Sequence, residues 1–211
     1  MVRPRVRNSP RRITAALFVT CMIDTFYPQV GVATVNLLRR LGVEVKFPMG
    51  QTCCGQPAYN GGYHNEAEVI ARKFVELFKG QQYIVVPSGS CAAMIKHQIP
   101  YLLRGDEDLH AQAISLAQQT YELTDFLINV LQKKYVGARF SGKVTYHASC
   151  HLLRELAISN EPLQLIGNVS ESEFVELEDH DVCCGFGGLF SVKHPKISGA
   201  MLEDKLQAID R

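Results

Sequence analysis

Seven cysteines stand in this chain of 211 residues, and their spacing repeats. Cys21 lies 32 positions before Cys53, and Cys150 lies 33 positions before Cys183. Each later cysteine opens the same tripeptide, Cys53-Cys54-Gly55 and Cys183-Cys184-Gly185, and the two copies are offset by 129 or 130 residues. Such self-similarity marks a duplicated unit. Cys91 closes the segment Pro87-Ser-Gly-Ser-Cys91. Copy one therefore offers four thiols, Cys21, Cys53, Cys54 and Cys91. Copy two offers three, Cys150, Cys183 and Cys184. Soft thiolates brought together from several loops suit an iron–sulfur cluster. Other readings compete. Free cysteines are often buried and inert. Four thiolates also suit tetrahedral zinc, but zinc sites usually use short Cys-x₂₋₄-Cys knuckles, and this sequence has none. A disulfide between adjacent cysteines is strained.

Other residues earn a place beside the thiols. Gly55 and Gly185 are expected to let the backbone turn tightly next to a bound cofactor. His147 and His151 flank Cys150 and could ligate iron, tune a cluster by hydrogen bonding, or simply cap a strand end. Asp24 and Arg154 could bind an acidic substrate or partner, or serve as solvated surface. Gly185-Phe-Gly-Gly188 lacks the Gly-x-Gly-x-x-Gly spacing, so a nucleotide site is rejected. The remaining histidines carry no spacing signal, and no Ser-His-Asp or paired-carboxylate arrangement can be argued.

The elements that must hold these residues alternate. Ala15–Thr20 reads as a strand, Gly31–Leu41 as a helix stopped at Gly42, and Val43–Phe47 as a second strand. After the first Cys-Cys-Gly come a helix near Glu66–Phe78 and a strand at Tyr83–Val86. Copy two shows a strand at Val144, a helix near Pro162–Ile166, a strand at Phe174–Leu177 and a helix over Lys196–Ile209. Between the copies, Ala111–Lys134 reads as two helices. Alternating strands and helices predict an α/β fold with parallel sheets, and ligand sites at the carboxyl ends of the strands. The expected organisation is a basic arm over 1–12, a first lobe over 13–110, a helical connector over 111–142 and a second lobe over 143–211. The lobes should be pseudo-symmetric, each a small parallel sheet flanked by helices, the second incomplete. Adding the repeat offset to Cys91 puts its counterpart near 220. A continuation of roughly 25–35 residues, with one more strand and at least one cysteine, is therefore expected.

Composition is that of a globular protein, 46% hydrophobic and 20% charged, long enough for one large or two small domains. A net charge of +1 gives no general pull toward nucleic acid. The arm holds Arg3, Arg5, Arg7, Arg11 and Arg12 among prolines and is read as disordered. The arm and the following apolar run fit a secretory signal poorly, because the second copy has the same strand-to-cysteine design without any signal context. No apolar run is long enough to span a membrane. A cytoplasmic location follows, where thiols stay reduced and structural disulfides are disfavoured.

In combination, Phe18-Val-Thr-Cys-Met-Ile-Asp24, Gln51-Thr-Cys-Cys-Gly-Gln-Pro57, Pro87-Ser-Gly-Ser-Cys91, Tyr146-His-Ala-Ser-Cys-His-Leu-Leu-Arg154 and Cys183-Cys-Gly-Phe-Gly-Gly188 resemble the cysteine-rich (CCG) domain family. This family includes a heterodisulfide reductase subunit and the iron–sulfur subunit of glycolate oxidase. The resemblance covers nearly the whole chain after the arm. It implies that all seven cysteines are iron–sulfur ligands, with one [4Fe–4S] cluster on copy one and room for a second on copy two. The family motif closes with Cys-x-x-Cys, whereas here Ser88 stands in the first position of that pair. Four thiols suit a [4Fe–4S] cluster better than the five-cysteine cluster of the heterodisulfide reductase relative. The implied function is electron transfer within a complex that oxidises L-lactate or a related 2-hydroxy acid such as glycolate. Implied partners are a ferredoxin-like iron–sulfur protein and a third lactate-utilization subunit. A thiol-disulfide enzyme subunit and a non-catalytic scaffold with structural cysteines are the alternatives.

Overall fold

The structure, a computed structural model, describes residues 12–210. All but the last residue of the basic arm therefore lies outside the described residues. The first strand, β1 (Thr14–Leu17), leads into a short helix α1 (Cys21–Phe26) and then α2 (Pro28–Arg40). Pro28 opens α2, where its missing N–H and fixed φ cost nothing. Next come β2 (Glu44–Lys46), α3 (Gln56–Asn60), α4 (His64–Phe78) and β3 (Tyr83–Val86). The chain then winds through α5 (Gly89–Ala93), a π-turn over Met94–Gln98, α6 (Ile99–Leu102) and α7 (Glu107–Gln119).

Parallel pairing joins β2, β1 and β3 in that spatial order. A fourth strand, β4 (Thr120–Glu122), pairs with β3. It lies in the stretch that reads as helical connector, which thus adds a strand to the first sheet as well as helices. After it come α8 (Leu123–Asp125) and a π-turn over Phe126–Val130.

The two central strands, β1 and β3, are apolar because helices cover both of their faces. Side chains alternate across the sheet. Ala16, Ile84 and Val86 face Phe74, Phe78, Met94, Ile95, Ile99 and Leu116. Ala15 and Val85 face the other way, toward Leu38, Val43, Phe126 and Leu127. Phe78 is fully buried, stacked on Phe74 at 4.8 Å and tilted against Phe18 at 5.7 Å. This packing makes the strand ends, from which the cysteine loops spring, a rigid platform.

The second sheet has two parallel strands, β5 (Arg139–Val144) and β6 (Ser170–Phe174). Between them lie a π-turn over His151–Glu155 and α9 (Asn160–Ile166). After them come α10 (Leu189–Lys193) and α11 (Pro195–Ile209). The sequence places the second strand at Phe174–Leu177, and the structure places it upstream. The reason is the partner: β5 ends at Val144, which lies opposite Phe174, so little is left for Glu176 and Leu177 to pair with. The order strand, helix, parallel strand, Cys-Cys-Gly, helix is nonetheless common to both copies. No helix among the described residues is long and apolar enough to cross a membrane.

Candidate metal centre

Copy one gathers its thiols at the carboxyl edge of the first sheet. Cys21 is the first residue of α1, just past the end of β1. Thr20 caps that helix, its hydroxyl accepting from the Ile23 N–H at 3.3 Å. Gln51 then ties the Cys-Cys-Gly loop to the same strand end. Its amide nitrogen donates to the Leu17 carbonyl at 2.9 Å, and its amide oxygen accepts from the Val19 N–H at 3.0 Å. Cys53 consequently meets Cys21, sulfur to sulfur, at 3.7 Å. Gly55 holds φ at +91°, a left-handed conformation that glycine adopts without penalty, and starts α3. The fourth thiol arrives from β3. Ser88 caps α5, its hydroxyl accepting from the Cys91 N–H at 3.4 Å and lying 3.3 Å from the Ser90 hydroxyl.

The four sulfurs act on one another electrostatically. Hydrogen bonding from Cys54 pulls the Cys53 thiol down to about 5, against a partial cost of burial. Cys54 itself is driven well up by its contacts with Cys53 and Cys91 and by burial. Cys91 is lowered, first by Cys54 and then by the Ser88 and Ser90 hydroxyls. Desolvation and the neighbouring Cys53 raise Cys21 to about 11. Each of the four thus senses at least two of the others, although up to 70 positions separate them in sequence. Cys21 is exposed, whereas Cys54 and Cys91 are buried.

Copy two repeats the pattern more loosely. Cys150 precedes the π-turn, and burial together with hydrogen bonding to Cys183 raises its thiol. Cys184 and the Arg154 guanidinium also act on Cys150 through their charges. The Gly185 N–H donates to the Cys183 sulfur at 3.4 Å, and Gly185 holds φ at +80°. His147 bonds the His180 carbonyl through Nδ1 at 2.9 Å, and burial holds its ring below the usual imidazole range. Arg154 donates to the Asp181 carbonyl at 3.2 Å. Asp24 lies in the first turn of α1 on the surface.

The two copies touch. The side-chain nitrogen of Gln56, beside Gly55, lies 2.9 Å from Nε2 of His151, beside Cys150. Helix α5 approaches the π-turn so closely that a Cβ on Gly89 would stand 2.8 Å from Leu152 Cβ. The bridging role of Gln56 and the clamp made by Gln51 carry no spacing signal. They become visible only when the loops are placed.

Among the described residues, no three or more His, Cys, Asp and Glu side chains are grouped closely enough to hold a single metal ion. A polynuclear cluster asks for something different, thiolates standing around an inorganic core. The donor set fits that demand in kind. Copy one supplies four converging sulfurs from three segments, one of them a thiolate at neutral pH.

A sequence model described as "Cysteine-rich domain" (CCG) matches residues 15–96 and again residues 144–211, one match on each copy. The chain belongs to this cysteine-rich domain family. It is 49% identical to lactate utilization protein A of Anoxybacillus flavithermus over 199 residues, which cover 94% of this chain and 83% of the relative. It is 50% identical to lactate utilization protein A of Geobacillus kaustophilus over 195 residues, 92% of this chain and 81% of the relative. Lactate utilization protein A 2 of Bacillus cereus strain 03BB102 is 46% identical over the same share of each chain.

Proposed function

We propose that this protein is an iron–sulfur electron-transfer subunit of a system that oxidises L-lactate or a related 2-hydroxy acid. The observation that carries the reading is the convergence of Cys21, Cys53, Cys54 and Cys91 at one sheet edge. The names of the relatives supply the substrate class. Those four residues would hold a [4Fe–4S] cluster, and Cys150, Cys183 and Cys184 would contribute to a second. A bound cluster supplies one-electron redox chemistry at a potential set by its surroundings. The chain itself does the rest. Gln51 and Thr20 fix the loops that carry Cys21 and Cys53, and burial of Cys54 and Cys91 keeps solvent from the inner side of the site. The Ser88 and Ser90 hydroxyls donate toward Cys91, stabilising negative charge on its sulfur. The exposed Cys21 side is where a redox partner gains its nearest approach. Partners of the expected kind are a ferredoxin-like iron–sulfur protein and a further small lactate-utilization subunit, in the cytoplasm.

Anaerobic purification tests this directly. The expected product is brown, with about four irons and four sulfides for each filled site and a reducible EPR signal. Cys21→Ser and Cys53→Ser should remove the copy-one share. A colourless chain that takes up no iron on anaerobic reconstitution would overturn the proposal.

A further inference from the structure

Helix α11 turns two of its polar side chains inward. Its buried residues are Ser198 and Lys205, with Lys205 only 5% exposed. They stand seven positions apart, two helical turns, and so share one face. Both bond the loop that carries Cys183 and Cys184. Ser198 Oγ donates to the Gly185 carbonyl at 2.9 Å, and Lys205 Nζ donates to the Asp179 carbonyl at 2.5 Å. The two carbonyls bracket the cysteine pair on either side.

The loop is held from other elements as well. The His147 ring and the Ala148 N–H both reach the His180 carbonyl, at 2.9 and 3.0 Å, and Arg154 reaches the Asp181 carbonyl. Three consecutive carbonyls, 179 to 181, therefore accept from side chains of three separate segments. Asp179 sits at φ +55°, an uncommon conformation for a residue with a Cβ. Burying an ammonium is costly, and lysine is rarely buried without partners. Packing alone would be served by an apolar residue at 205. The same helix leaves Ile197, Leu202 and Leu206 exposed.

We propose that Lys205 and Ser198 are positioning residues for the second cysteine site. Helix α11 acts as a splint that holds residues 179–185 in the shape that turns Cys183 and Cys184 toward Cys150. This rests on the reading of those cysteines as cluster ligands.

The test uses the full chain, reconstituted anaerobically, with iron release to a chelator followed over time. Cys183→Ser and Cys53→Ser assign the release phases of copies two and one. Lys205→Met should accelerate the copy-two phase about 10-fold, the scale of lost support around a metal ligand, and leave the copy-one phase unchanged. Ser198→Ala should accelerate it about fivefold, as loss of one hydrogen bond implies. Lys205→Arg should restore most of the wild-type rate. An unchanged copy-two phase in Lys205→Met overturns the proposal. If that variant fails to fold, as an altered copy-one phase would reveal, an unchanged rate in Ser198→Ala overturns it instead. If the wild-type chain holds no iron dependent on Cys183, the ligand reading of copy two has failed. The splint is then read in metal-free protein, from the rate at which diamide joins Cys150 to Cys183. Lys205→Met should slow that rate about fivefold, and an equal rate overturns the proposal.

Discussion

The two Cys-Cys-Gly glycines share a conformation but not a setting, so alanine at each should cost different amounts. Gly55 and Gly185 have φ of +91° and +80°. A Cβ at either position brings left-handed strain of about 1–2 kcal/mol. At Gly55 the new atom meets nothing closer than Ile70 Cγ2 at 3.5 Å, an ordinary contact. At Gly185 it would lie 2.6 Å from the Ser198 carbonyl oxygen and 2.8 Å from Met201 Cβ. Backbone cannot step aside as a flexible side-chain tip can, so overpacking adds about 1–3 kcal/mol there. Gly55→Ala should thus lose about 1–2 kcal/mol and Gly185→Ala about 2–5 kcal/mol. At about 2–4 °C per kcal/mol for a chain of this size, the difference is roughly 2–12 °C in Tm. Thermal unfolding of the two metal-free variants beside the parent measures it. Equal losses, or a larger loss at Gly55, would refute the close seating of α11 on the second cysteine loop.

Truncating Phe78, the centre of the aromatic stack, to alanine should cost about 3–5 kcal/mol in denaturant unfolding, and a loss under 1 kcal/mol would contradict the packing described. In metal-free protein at pH 7, iodoacetamide should label Cys53 before Cys21, because Cys53 titrates near 5 and Cys21 near 11; mass spectrometry of labelled peptides reads the order, and first labelling at Cys21 would contradict it. Burial raises the Glu122 carboxyl above its ordinary 4.5, so stability should fall as pH rises from the unfolded value through the folded one. Glu122→Gln retains an acceptor for the Thr124 N–H and should remove that fall, which urea unfolding between pH 4 and 8 would show, whereas an unchanged profile counts against the assignment.

Much of this arrangement was readable from the chain. The run at Tyr83–Val86 is apolar and bounded by Gly80 and Pro87, and the strand forms over those residues. The strand-to-cysteine pattern placed Cys21, Cys91 and Cys150 at carboxyl ends, where they lie. Strand β4 was not legible, because Thr120-Tyr-Glu122 is short and continues from a helix. Its pairing with β3 makes it a strand. Strand β6 reads Ser-Glu-Ser-Glu-Phe, with no apolar alternation to announce it. The inward lysine of α11 was hidden for the opposite reason. Sequence periodicity draws attention to Leu202 and Leu206, and nothing local says that Lys205 is the buried one.

The 3.7 Å approach of Cys21 to Cys53 also bears on how this protein survives air. One sulfur is solvent-exposed, and the other is a ready thiolate. An oxidant that accepts two electrons can therefore join them into a disulfide with loss of the one remaining thiol proton, that of Cys21, removing half of the copy-one donor set in one event. A cluster held by Cys21 and Cys53 would draw on the same two sulfurs as this disulfide, so each would exclude the other.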